Sequence, residues 1–74
     1  MSDTCVKLRQ IHSDGSRETL GNFTNWNNAL RMLEAWGFKL LAFEEDDDNP
    51  RHFDVCAVRA GSVDIFTIEP AREW

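Results

Sequence analysis

Residues 25–36 (NWNNALRMLEAW) are the only stretch of this chain whose apolar residues recur at helical spacing. Trp26, Ala29, Leu30, Leu33 and Trp36 form one stripe, and Asn27, Asn28, Arg31 and Glu34 lie mostly on the other side. Thr24 or Asn25 can cap the N-terminus through a side-chain oxygen. Gly37 suits the C′ position, where a left-handed conformation is needed, and Phe38 can then pack back on Leu33. One short amphipathic helix buries its stripe only against another layer. The remaining segments read as strands, so that layer is a sheet.

Residues 4–12 (TCVKLRQIH) and 17–23 (RETLGNF) read as strands flanking Ser13-Asp14-Gly15-Ser16. Asp-Gly between strands predicts a hairpin with a type I′ turn, which needs positive φ at both central residues. Gly21 weakens the second strand or marks a bulge. Residues 38–44 (FKLLAFE), 52–59 (HFDVCAVR) and 62–69 (SVDIFTIE) complete the set. The acidic run with Asn49-Pro50 joins the first two of these, Ala60-Gly61 turns between the last two, and Pro70 ends the chain's final strand. The expectation is one α+β domain over residues 1–74, a five-stranded antiparallel sheet with one helix packed on one face, in the order β-β-α-β-β-β.

A two-residue Ala60-Gly61 loop fixes a register: Arg59 with Ser62, Val55 with Phe66, Phe53 with Ile68. Phe53, Val55, Ala57, Phe66 and Ile68 then share one face, with Asp64 near its edge, and look like core beneath the helix. The other face carries Asp54, Cys56, Val58, Val63, Ile65 and Thr67. It is half apolar, and one helix cannot cover both faces. Such a strip marks a partner surface or a homodimer contact, unless the tail with Trp74 folds over it.

Charge is distributed unevenly. The net charge is -5, and Glu44-Glu45-Asp46-Asp47-Asp48 alone matches it. Five consecutive carboxylates resist burial, so they face water or something basic. An acidic chain disfavours direct contact with DNA, RNA or anionic lipid, because phosphate contacts need cations. No apolar stretch approaches the roughly 18 residues of a membrane span. Met1-Ser2-Asp3-Thr4 lacks the character of a signal peptide, so a cytoplasmic protein with free Cys5 and Cys56 is expected.

Metal and catalytic chemistry find little support. Cys5, His12, His52 and Cys56 are zinc-type residues, but His52 and Cys56 sit four apart on a strand, roughly 13 Å at 3.3 Å per residue. An EF-hand loop starting at Asp46 would place Arg51 and Ala57 where Gly and Glu are required. Nucleophile elbow, HExxH and phosphate-loop patterns are missing. The expectation is a protein that is not an enzyme and takes no cofactor and no metal. A dense line of carboxylates can instead imitate the phosphates of duplex DNA, which presents one charge per roughly 1.7 Å of axis. The candidate surface is Glu44, Glu45, Asp46, Asp47, Asp48 and Asp54, extended by Asp64 and Glu69. The competing reading is a solvated hairpin tip.

In size, layout and acidity, from MSDTCVKLRQ to EPAREW with the EEDDDNP loop, the chain resembles phage-encoded anti-CRISPR proteins. It is similar to inhibitors of type I systems, type I-C among them. The resemblance carries no diagnostic motif and no residue-level site. It implies a non-enzymatic inhibitor in the host bacterial cytoplasm that binds a basic groove on a subunit of the Cascade surveillance complex and blocks target DNA recognition. The alternative is a small assembly module, monomer or weak homodimer, acting through the apolar sheet face.

Overall fold

The computed structural model describes residues 6–49 and 51–71. Its elements are β1 (Val6–Ile11), β2 (Arg17–Phe23), α1 (Trp26–Ala35), β3 (Lys39–Glu45), β4 (Phe53–Arg59) and β5 (Ser62–Pro70). The strands form one sheet in the order β2-β1-β5-β4-β3, antiparallel at every step. The chain thus adopts the expected α+β fold. Two hairpins meet at β1 and β5, and α1 links the two edge strands β2 and β3 by crossing the face between them. A crossover of that span gives the helix its burial: it lies across the sheet rather than beside one hairpin.

Both helix ends are closed by side chains and turns that the sequence announces. Asn25 is extended (φ -153, ψ 171), and its Oδ1 accepts the Asn28 N–H at 2.9 Å. Thr24 Oγ1 accepts from the Asn28 side-chain amide at 2.9 Å. At the other end Gly37 has φ 97, the Phe38 N–H reaches the Leu33 carbonyl at 3.0 Å, and the Gly37 N–H reaches Glu34 at 3.0 Å. These two bonds make a Schellman motif and satisfy carbonyls that the helix itself leaves open. Arg59 of β4 adds a third contact, donating to the Trp36 carbonyl at 3.0 Å while its guanidinium lies 4.3 Å from the Phe38 ring centroid. A cation at a helix C-terminus also meets the negative end of the helix dipole.

Leu8, Ala29, Leu33, Phe38, Val55, Ala57, Phe66 and Ile68 form the buried core between α1 and the sheet. The register of β4 and β5 is the expected one, with Phe53, Val55 and Arg59 opposite Ile68, Phe66 and Ser62. Of the helical stripe, Ala29 and Leu33 are fully buried and Leu30 half-buried, whereas Trp26 and Trp36, at the two ends, keep about two-fifths of their surface exposed. The stripe therefore covers the sheet through its middle turns only.

Two irregularities bend the sheet's margins. The β1–β2 register shifts between Leu8 and Arg9, leaving Leu20 as the extra residue beside Gly21. The β3–β4 register shifts between Leu40 and Ala42, leaving Leu41 as the extra residue. Leu20 turns partly toward the core, and Leu41 stays exposed.

Both hairpins turn at the expected residues, but the type I′ geometry expected at Asp14-Gly15 is not found there. At Asp14-Gly15 only Gly15 has positive φ, 90°. The Gly15 N–H bonds to the His12 carbonyl and the His12 N–H to the Ser16 carbonyl, each at 2.9 Å. This is a three-residue loop closed by a glycine, not a type I′ turn. Asp14 is held instead by Ser16, whose hydroxyl and N–H donate to its Oδ1 at 2.7 and 2.9 Å. Those bonds, the hydroxyl's first, lower the Asp14 carboxyl below its ordinary value. The primed turn is at Ala60-Gly61, where φ is 54 and 81.

Candidate functional site

β3, β4 and the loop between them carry the acidic residues, at the end of the sheet where α1 begins. Strand alternation divides the run. Glu44 is the cross-strand partner of Asp54, on the face away from the helix. Glu45 is the partner of Phe53, on the helix face. Two carboxylates directly opposite each other repel, at a cost of a few tenths of a kcal/mol to about 1 kcal/mol. Among the described residues no ion pair offsets Glu44, Glu45, Asp47, Asp48 or Asp54. Residues 44–54 hold six carboxylates against Arg51 alone, so the rest of the chain is balanced.

Asp46 does not belong with the free carboxylates. Its Oδ1 accepts the Asp48 N–H at 2.9 Å and its Oδ2 accepts from the Asn49 amide at 3.1 Å. Its own N–H bonds to the His52 carbonyl at 2.8 Å, and the His52 N–H to the Asn49 carbonyl at 3.1 Å. The Asn49 amide, and then the Asp48 N–H, hold the Asp46 carboxyl below the usual carboxylate range. This residue folds the loop, and its carboxylate is spent inside it. Asp47 and Asp48 are left exposed at the tip.

The expected extension of the acidic track fails at both residues named for it. Glu69 is only 8% exposed and lies 3.6 Å from Arg9 and 3.8 Å from Arg17, with the Thr67 hydroxyl donating to it at 2.9 Å. A paired carboxylate inside this network cannot meet a partner. Asp64 accepts from the Gln10 amide at 3.3 Å, toward the other end of β5. The free carboxylates thus surround the end of one hairpin: Glu44 and Asp54 on one face, Asp47 and Asp48 at the tip, Glu45 on the opposite face.

On the helix face Glu45 adjoins an aromatic cluster. Phe43 and Phe53 stack at 4.9 Å with an interplanar angle of 9°, and Trp26 leans on them at 5.3 and 6.0 Å. Sequence reasoning assigned Trp26 to the core stripe. Its place at the first helical position is what leaves it half-exposed, and cap identification alone could have signalled this.

The sheet face away from α1 carries the expected apolar strip. Val63 is 55% exposed and Ile65 42%, while Val58 and Cys56 are half-buried. Thr67 is the exception, buried within the Arg9–Glu69 network. A shallow depression of about 430 Å³ lies between Gln10, His12, Val63 and Ile65, at the far end from the acidic loop. Cys5, Pro50 and Trp74 fall outside the described residues. Comparison with protein families, curated proteins and solved structures finds nothing that matches this chain.

Proposed function

We propose that the protein is a non-enzymatic inhibitor of a nucleic-acid-binding complex, docking Glu44, Glu45, Asp47, Asp48 and Asp54 in a basic groove that otherwise holds DNA phosphates. The resemblance to anti-CRISPR proteins directs this reading to a type I surveillance complex of the Cascade kind. One observation carries it: residues 44–54, where β3 ends and β4 begins, hold a net charge equal to that of the whole chain, with Glu44 and Asp54 kept opposite each other against their mutual repulsion. Carboxylates in that arrangement accept ion pairs from Lys and Arg, and their field speeds encounter with a basic partner.

The test is competition with target DNA for the purified surveillance complex across a salt series. Wild type displaces the DNA, with an affinity that falls as salt rises. The variant Glu44→Gln/Asp47→Asn/Asp48→Asn/Asp54→Asn loses at least roughly tenfold, given several charge pairs at about 0.5 kcal/mol or more each. Asp46 is left intact, so the loop keeps its shape. Equal inhibition by this variant would sink the proposal. The exposed Val63 and Ile65 favour a second reading, docking or self-association through the open sheet face. In that case Ile65→Lys, not the charge variant, abolishes binding, and salt has little effect.

A further inference from the structure

We propose that the indole of Trp26 and the carboxylate of Glu45 together hold an arginine side chain of the protein partner. The inference deepens the acidic-surface reading and takes from it only that the partner is basic. Trp26 leans on the Phe43–Phe53 stack, whose near-parallel rings fix its position, and 42% of the residue stays open to solvent. Glu45 lies on the same face, two residues after Phe43 and directly across from Phe53. Trp offers the strongest aromatic face to a cation. A planar guanidinium can stack on that face and donate to a carboxylate at its edge, which a lysine ammonium cannot do in one geometry. Trp and Arg are also the residues most enriched where binding energy concentrates.

The other end of the same helix shows the arrangement filled from within. There Arg59 stacks on Phe38 and donates to the Trp36 carbonyl. Among the described residues no cation lies over Trp26. The positive end of the helix dipole opposes a cation here by about half a charge. Glu45, on the same face, carries a full negative charge against it.

The probe is a synthetic peptide of alternating Arg and Gly, compared with a Lys-Gly peptide of the same length, titrated by calorimetry and by the Trp26 indole N–H resonance. The Arg peptide binds at least roughly threefold more tightly and shifts that resonance. Trp26→Ala and Glu45→Gln each erase the preference, weakening Arg-peptide binding roughly three- to tenfold. Equal affinity for the two peptides, binding to neither, or a preference that survives Glu45→Gln would overturn the inference. Glu45→Gln keeps the aromatic cluster, so the outcome stands even if Trp26→Ala fails to fold. The titration contains no surveillance complex. Its result and that of the DNA competition can therefore fail separately.

Discussion

Asp46 has both carboxylate oxygens engaged, and the four acidic residues around it do not. In sequence the five look equivalent, because nothing local says which one the loop will fold around. The selection follows from β3 ending at Glu45, which makes Asp46 the first residue free to turn. Its lowered pKa gives the loop a pH signature. A carboxyl depressed on folding stabilises fully above its unfolded value of 3.8, and that stabilisation is lost as pH falls through the lower folded value. Thermal melts of Asp46→Ala are expected to fall below wild type at neutral pH and to converge on it as the pH is lowered through the folded-state value. A gap of the same size at neutral and at acid pH would show that the carboxylate is not the cause. Glu69 is lost from the acidic surface to ion pairs with distant residues. Its partners Arg9 and Arg17 lie some fifty to sixty positions away in the chain, beyond any pattern of neighbours.

At the scale of elements, the helix and the β4–β5 hairpin were the most legible. Asn25, Gly37 and Phe38 sit where capping chemistry requires them, and the Ala60-Gly61 loop alone determined a full register. The β1–β2 turn misled because Asp-Gly serves two loop types, and the choice between them is one residue of loop length. The primed turn went instead to a site where alanine occupies a left-handed conformation, at φ 54. L-residues resist that region by about 1–2 kcal/mol, and asparagine resists it less. Ala60→Asn is therefore expected to stabilise the domain by about 0.5–1 kcal/mol, a rise of several degrees in melting temperature for a chain of this size. An unchanged or lower melting temperature would mean that the turn carries no such strain.

For the whole molecule, strand order was the part that local signals could not supply. The pairing of β1 with β5 joins the first strand to the last, and only the folded chain reveals it. That pairing makes one core shared by both hairpins. Leu33 reaches it from the helix and is fully buried, so Leu33→Ala is expected to cost about 2–5 kcal/mol. Because the hairpins share the core, urea unfolding followed by Trp fluorescence and by circular dichroism should shift together as one transition. Separated midpoints would show two independently stable halves. A domain this small buries only about 60% of its unfolded surface, and a loss of that size uses much of its margin.

The extra residues Leu20 and Leu41 lie one in each outermost strand, and their consequence reaches beyond a single molecule. A sheet with open sides invites a neighbour's backbone to add a sixth strand and then a seventh. Here each side is kinked partway along, and Lys39, Glu44 and Glu45 stand on one of them. A second copy meets no straight ladder to extend, which disfavours edge-to-edge stacking of one chain on the next.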